Sequence, residues 1–228
     1  MTQNLSANLY IINEASEGAV YGIGTYIREL TNALRNSRLN VCVINLKSGK
    51  PQIHFEEIEG VRYWYFPKPL QTNEVLDHKR KAELYYRNVV YLLQLHIEDR
   101  KNLIFHLNYI DSKPLVDSLK NTFDCKIVLV VHYLEPVLIL SGNISRLCRI
   151  ISQPGEPTNE EDIFVENAFL KEKEVFQIAD KIICLSNHTY NMLCMDYQLD
   201  TKKIAVIPNG LSTIDNGEWT IDNEGCID

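Results

Sequence analysis

The sequence predicts an α/β fold of the Rossmann-like type, an open, mostly parallel sheet with helices on both faces. Two observations support this prediction. Short runs of consecutive apolar residues, rich in Ile and Val, recur along the chain, and such runs are typical of parallel strands covered on both sides. Between several of these runs lie segments whose apolar residues recur at helical spacing. Strands that alternate with helices form right-handed βαβ units.

The predicted elements follow in chain order. The predicted strands are Leu9–Ile12, Val41–Leu46, Leu103–Leu107, Ile127–Val131, Ile182–Leu185 and Ile204–Ile207. The predicted helices are Thr25–Asn36, Glu74–Glu98, Asp117–Asn121, Glu160–Ile178 and Asn187–Met195. Two segments depart from the alternation. Gln52–Glu57 and Val61–Phe66 flank Glu59-Gly60 and are typical of a β-hairpin, whereas the glycines and prolines of Ser141–Thr158 predict a loop.

Composition narrows the function classes. The 228 residues carry a formal net charge of −7, and five of the acidic residues lie in Ser212–Asp228, which has no Lys or Arg. The remaining body is close to neutral, so it lacks the basic face that nucleic-acid binding needs. Six cysteines without a C-x-x-C pair indicate a reducing compartment, and we expect a cytoplasmic protein. The sequence shows no signal peptide and no apolar run long enough for a transmembrane segment.

One folded domain is expected over residues 1–211, followed by an acidic linker or truncated tail over residues 212–228. The apolar periodicity stops after Pro208-Asn209-Gly210, and the remainder is polar and acidic.

A glycine motif, Gly22-Ile23-Gly24-Thr25, lies between the first predicted strand and the first predicted helix. Glycines let backbone N–H groups approach a ligand closely, and a helix start adds partial positive charge, so a phosphate or diphosphate would suit this position. The motif is not G-x-G-x-x-G, because Ile27 occupies the third-glycine position. It is therefore either a ligand loop or a turn that needs positive φ.

A histidine, His132, directly follows the predicted strand Ile127–Val131. Ligands of open parallel sheets bind beyond the carboxyl ends of strands, and a histidine there can bond a sugar hydroxyl or a phosphate oxygen. The alternative is a strand-end histidine satisfied by a backbone carbonyl. Asn108 and Tyr109 follow another strand and are candidates to line the same crevice. His106, inside that strand, is expected to be buried.

No metal site is predicted. Glu135 lies three residues after His132, but Pro136 disfavours a regular helix there and no second histidine completes an H-E-x-x-H pattern. The aromatic cluster Tyr63–Phe66 is interpreted as packing, and Lys79–Lys81 as a solvated helix face.

Three motifs in order resemble the amino-terminal domain of family 4 glycosyltransferases, which are retaining enzymes of the GT-B fold. They are Tyr21–Leu30, Ala179–Ser186 and Lys203–Gly210, and the resemblance spans about residues 7–211. It implies two Rossmann-like domains that face a cleft. The amino-terminal domain chiefly holds the acceptor, and the carboxy-terminal domain holds the nucleotide-sugar.

The resemblance also implies roles for particular residues. Gly22, Ile23, Gly24 and Thr25 would face the donor phosphates or the acceptor, and His132 would be the catalytic residue near the transferred sugar. We expect Asn108, Tyr109 and Tyr133 to bind the acceptor, and the resemblance implies that Pro208, Asn209 and Gly210 form the interdomain hinge. The nucleotide-sugar is a co-substrate, the acceptor is a glycan or a small molecule, and no other cofactor is implied.

The donor-binding half with its E-x7-E motif is not found in the sequence. We therefore expect no turnover without a separate carboxy-terminal domain or subunit. One alternative is a non-catalytic module of the same fold that binds an acceptor or a partner. Another is a dinucleotide-dependent oxidoreductase, which needs an acidic residue at the end of the second strand, where Leu46-Lys47 stands.

Overall fold

The computed structural model describes residues 7–14, 22–69, 78–108, 113–153, 155 and 158–210. Eight strands lie within these ranges: β1 Asn8–Glu14, β2 Asn40–Ser48, β3 His54–Ile58, β4 Val61–Pro67, β5 Leu103–Leu107, β6 Cys125–Val131, β7 Lys181–Cys184 and β8 Ile204–Val206. The same ranges contain seven α-helices: α1 Gly22–Leu34, α2 His78–His96, α3 Lys113–Thr122, α4 Glu135–Ile139, α5 Ile144–Ser152, α6 Glu160–Ile178 and α7 Asn187–Met195.

The described strands form one sheet in the order β3-β4-β2-β1-β5-β6-β7-β8. All neighbouring pairs are parallel except β3 and β4, which form the antiparallel hairpin at one edge. This topology confirms the predicted α/β fold. Because β1 pairs with both β2 and β5, and β5 pairs with β6, the chain segments that follow these strands meet at one edge of the sheet.

Helices cover both faces of the sheet, as predicted. On one face α1 inserts Ile27 against Leu9, Ile11 and Val43, with Leu30 and Tyr26 packed around them. This spacing reproduces the apolar stripe of an amphipathic helix. The opposite face carries the larger core, in which α2, α3 and α6 pack against the sheet through residues such as Leu93, Leu119 and Phe176. Alternate side chains of β1 and β2 therefore enter different cores.

Two predictions about the segment after β6 are wrong. Pro136 does not prevent a helix, because it lies in the first turn of α4, where its missing N–H removes no helical hydrogen bond. The predicted loop Ser141–Thr158 contains α5. Asn143 caps this helix by accepting a hydrogen bond from Arg146 N at 3.0 Å, and Leu147 and Ile150 bury its apolar face.

Other element boundaries shift by a few residues. Helix α1 begins at Gly22 rather than Thr25, and α3 begins at Lys113, one turn before the predicted start. Helices α6 and α7 have their predicted bounds. The Ser186 hydroxyl caps α7 by accepting a hydrogen bond from Thr189 N at 3.1 Å. Residues 74–77 of the predicted second helix lie outside the described residues. Among the described helices, none combines the length and the apolar character that a membrane span requires.

Candidate functional site

Three polar side chains meet at the carboxyl ends of β5 and β6, on the face of the sheet that α1 covers. Asn108 directly follows β5, His132 directly follows β6, and Tyr26 extends from the second turn of α1. His132 Nε2 lies 3.2 Å from Asn108 Oδ1, and the rings of Tyr26 and His132 meet edge to face with centroids 5.0 Å apart. The predicted crevice residues Asn108 and His132 are thus brought together.

Asn108 is held by two hydrogen bonds to one carbonyl. Its backbone N–H and its side-chain Nδ2 both donate to Ile12 O, each at 3.2 Å, and the residue is 1% exposed. This arrangement assigns the amide orientation, because Nδ2 must face the carbonyl and Oδ1 must then face His132. Asn108 therefore presents a fixed acceptor to the imidazole.

The protonation of His132 follows from that acceptor and from burial. Since Asn108 Oδ1 can only accept, His132 Nε2 carries the proton. Burial lowers the pKa of His132 from 6.5 to about 4, so the ring is neutral at pH 7. The Nδ1 atom then holds a lone pair that can accept a hydrogen bond. Within the described part of the chain, no residue donates to it.

His106 lies deeper beside the same cluster. It is 5% exposed, as expected for a residue inside β5, and its Nε2 lies 3.4 Å from the Tyr26 hydroxyl. Burial and the neighbouring His132 lower the pKa of His106 to about 4. Burial also raises the pKa of Tyr26 to about 12, so its hydroxyl keeps its proton at pH 7. The cluster is therefore uncharged and built from hydrogen-bonding groups.

The glycine motif is the first turn of α1 and not a loop before it. Gly22, Ile23, Gly24 and Thr25 are all helical, and the N–H groups of Gly22, Ile23 and Gly24 precede the first hydrogen bond within the helix. The first turn contains no acidic residue. A Cβ added at Gly22 would meet nothing within 4 Å, so internal packing does not require glycine there. This turn directly precedes Tyr26 in α1 and lies at the same sheet edge as His132.

The remaining predicted site residues lie further out. Tyr133 is 47% exposed and follows His132 directly. Pro208, Asn209 and Gly210 are exposed and follow β8, two strands away from β6. They share the sheet edge, but among the described residues no hydrogen bond or ring contact joins them to the His132 cluster. Tyr109 lies outside the described residues. The roles of all these residues stay predictions.

Two residues near the site were not predicted from the sequence. Tyr26 lies inside the quoted helix motif, yet a helical pattern alone does not show that its ring reaches His132. Glu172 is a buried carboxylate in α6 whose Oε1 accepts from Glu135 N at 2.6 Å. Its position within the apolar stripe of α6, between Phe169 and Val175, is the available sequence signal, because charged residues are rarely buried without a specific partner.

The structure offers little support for other chemistries. Lys47, near the end of β2, pairs with Glu14 at 2.6 Å, where a dinucleotide fold would present an acidic side chain to a ribose. Among the described residues, no group of three or more His, Cys, Asp and Glu side chains is arranged to hold a metal ion.

Comparison with known proteins identifies a family. The family described as Glycosyltransferase Family 4 matches residues 20–214. A search of curated protein sequences finds no match. Solved structures with the same fold include sucrose-phosphate synthase from Thermosynechococcus elongatus, with a TM-score of 0.59 and 17% identity over 90% of this chain and 48% of that chain. Another is the alpha,alpha-trehalose-phosphate synthase (UDP-forming) from Burkholderia vietnamiensis, with a TM-score of 0.54 and 9% identity over 91% of this chain and 48% of that one.

The chain thus spans about half the length of these structures. At such low identity the structural similarity shows the fold alone, a Rossmann-like half of the GT-B type. The family match covers most of the chain, including the glycine motif, His132 and the segment after β8. The chain therefore belongs to glycosyltransferase family 4.

Proposed function

We propose that this chain is the acceptor-side domain of a retaining glycosyltransferase that transfers a sugar from a nucleotide-sugar to a hydroxyl of an acceptor. The observation that carries the proposal is the neutral imidazole of His132, which bonds Asn108 through Nε2 and has Nδ1 available at the sheet edge. Parallel sheets bind ligands at this edge, and the first turn of α1 lies beside it.

His132 is proposed to orient the acceptor hydroxyl and not to act as a general base that removes the hydroxyl proton. A general base works best with a pKa near the working pH, whereas burial lowers the pKa of His132 to about 4. The Nδ1 lone pair accepts a hydrogen bond from the acceptor hydroxyl and aims the oxygen at the anomeric carbon. As the new C–O bond forms, the bond to the diphosphate breaks, and the released diphosphate takes the hydroxyl proton.

The first turn of α1 is proposed to face the donor phosphates and to border the acceptor beside His132. Its backbone N–H groups carry partial positive charge, and Gly22 adds no side chain in front of them. Such groups stabilise the negative charge that develops on a leaving diphosphate. One of the structurally similar enzymes is named as UDP-forming, which is consistent with a nucleoside diphosphate as the product.

The donor is proposed to be held mainly by a second domain, so these 228 residues alone do not catalyse transfer. The matched structures, about twice as long as this chain, support this division. The acceptor is proposed to be a sugar or a sugar phosphate, since the cluster offers hydroxyl-binding groups and no net charge.

Calorimetry on the purified chain tests the proposal. We expect UDP-sugars and GDP-sugars to bind weakly or not at all, and a sugar or sugar phosphate to bind measurably. His132→Ala should weaken that binding by at least about tenfold, which corresponds to one hydrogen bond of about 1.4 kcal/mol. His96→Ala is the control, because His96 packs against Phe55 and Trp64 of the β3–β4 hairpin, which lies several strands away from β6. Sugar transfer by this chain alone at an ordinary enzymatic rate would contradict the division of labour, and unchanged binding in His132→Ala would contradict the site.

A further inference from the structure

A carboxylate buried in α6 is bonded to the segment that carries His132. Glu172 is 1% exposed, and its Oε1 accepts from the backbone N–H of Glu135 at 2.6 Å. Its Oε2 accepts a short hydrogen bond from the hydroxyl of Tyr197. The Tyr197 ring is itself packed between Phe169 and Phe176, with ring centroids at 4.4 and 5.1 Å. In the ionised form of Glu172, both carboxylate oxygens therefore accept from fixed donors.

Burying a carboxyl group such as that of Glu172 costs desolvation free energy, so its hydrogen bonds indicate what it contributes to the structure. Within the described ranges Glu172 has no ion pair with a Lys, Arg or His side chain, and an apolar residue at this place in α6 would avoid the desolvation of a carboxylate. What an apolar residue cannot supply is an acceptor for Glu135 N–H, the first amide of α4. The carboxylate thus joins α6 to the start of α4.

The segment between β6 and α4 contains only His132, Tyr133 and Leu134. At one end Val131 is paired with Cys184 in the sheet. At the other end the Glu172 carboxylate fixes Glu135 N. A three-residue connection with both ends fixed has little freedom. The position of the imidazole against Asn108 and Tyr26 depends on both anchors.

We propose that Glu172 is a positioning residue, which acts through the Glu135 amide to hold His132 against Asn108 and Tyr26. The consequence for sugar transfer rests on the function proposed above, whereas the positioning itself is a property of the chain.

Histidine NMR on the whole chain tests positioning without any substrate. In Glu172→Leu the acceptor for Glu135 N–H is lost. We expect the His132 imidazole signals to shift and its pKa to rise from about 4 by about one unit or more, since the ring loses part of its burial. Glu172→Gln keeps a carbonyl oxygen for the amide and should leave the His132 signals close to those of the unchanged protein.

Asp162→Asn is the matched control. Asp162 is equally buried in the same helix, with a side chain 1% exposed, but it bonds Arg146 and Arg149 of α5 rather than the His132 segment. This change should leave the His132 signals in place even if it lowers stability. A folded Glu172→Leu protein whose His132 signals and pKa are unchanged would overturn the proposal, and so would an equal shift in Asp162→Asn.

If Glu172→Leu does not fold, Tyr197→Phe decides the question. Removing the hydroxyl frees Oε2 and loosens the carboxylate, so displaced or broadened His132 signals support the proposal and unchanged signals contradict it. Because the NMR measurement needs no sugar transfer, it can contradict the positioning role of Glu172 without contradicting the proposed function, and the reverse also holds. Shifted signals in a protein that binds no sugar would contradict the proposed function alone, and unshifted signals in one that binds sugar would contradict positioning alone.

Discussion

At the scale of single residues, the state of His132 is set by two neighbours and by burial. Asn108 cannot rotate its amide without losing its bond to Ile12 O, so it fixes the proton of His132 on Nε2. Tyr26 covers the ring from α1. The sequence placed His132 at a strand end but could not assign its tautomer, because that depends on an amide from a different strand.

The first prediction concerns the charge of the buried histidines. In a pH titration followed by NMR, His132 and His106 should both remain neutral until the pH falls to about 4, since burial opposes the charged form. Their nitrogen shifts at pH 7 should show the proton of His132 on Nε2. His132→Ala and His106→Ala each remove one signal and thus assign them. A His132 signal that titrates near 6.5 would contradict the described environment.

The second prediction concerns Asn108. Asn108→Asp should place a carboxylate about where Oδ1 lies, 3.2 Å from His132 Nε2. An opposite charge at this distance favours the imidazolium ion, so we expect the pKa of His132 to rise by about 1–3 units. Asn108→Leu serves as the control, because it removes the amide without adding charge. A similar rise in both variants would show that altered packing, and not the new charge, is responsible.

At the scale of helices and strands, the pattern of apolar residues predicted most of the fold. Strand β5 and helices α6 and α7 have the predicted bounds. In each of them a clear pattern of apolar residues ends at a clear boundary, such as the Ser186 cap of α7. Helix α5 was missed because Gly142 and the prolines beyond it outweighed its apolar stripe. Helix α4 is not predicted by the sequence pattern, because a proline such as Pro136 usually disfavours a helix, although a proline in the first turn is tolerated.

The site was predicted less completely than the fold. Asn108 lies beside His132 because they follow β5 and β6, which are neighbouring strands. A β5–α3–β6 unit, indicated by the alternation of strands and helices, is consistent with this neighbourhood. The contact of Tyr26 with His132 requires the rotation of α1 over the sheet, and the bond from Glu135 N to Glu172 joins residues far apart in sequence. Neither has a local sequence pattern, because both depend on how helices pack.

The third prediction concerns the contact between α6 and α4. Burial raises the pKa of Glu172 from 4.5 to about 7, and the charged or titratable groups that face it are Glu135, Tyr197 and, beyond the tyrosine, Asp196. Between these pH values the folded protein retains a proton that the unfolded chain has lost, so this carboxyl lowers stability as the pH rises. The full effect is about 3 kcal/mol.

Chemical denaturation across this pH range measures the effect. Glu172→Gln cannot titrate, so the free energy of unfolding of the unchanged protein minus that of the variant should fall from pH 4.5 to above pH 7. Asp162→Asn should not show this fall, because the pKa of Asp162 is lowered to about 2, chiefly by its hydrogen bond from Thr158. A difference for Glu172→Gln that is flat over the whole range would contradict the raised pKa.

At the scale of the whole molecule, buried histidines and a buried carboxyl act on stability with opposite signs. His106 and His132 have lowered pKa values, so between pH 4 and 6.5 the unfolded chain binds more protons and stability rises with pH. Glu172 acts in the opposite direction over pH 4.5 to 7. The two trends partly cancel in the unchanged protein, which is why the variants are needed to separate them.

The molecule as a whole places a neutral, hydrogen-bonding cluster at the edge of the sheet where ligands of parallel sheets bind. In the proposed arrangement, the first turn of α1 and His132 face one ligand. NMR on the 228-residue chain, labelled at histidine and at the backbone amides, tests it with hexoses and hexose phosphates. We expect one of these sugars to shift both the His132 imidazole and the Gly22–Thr25 amides saturably, to leave His96 unmoved, and to bind more weakly to Gly24→Val. A sugar that binds saturably while His132 and that turn of α1 stay unmoved would contradict it.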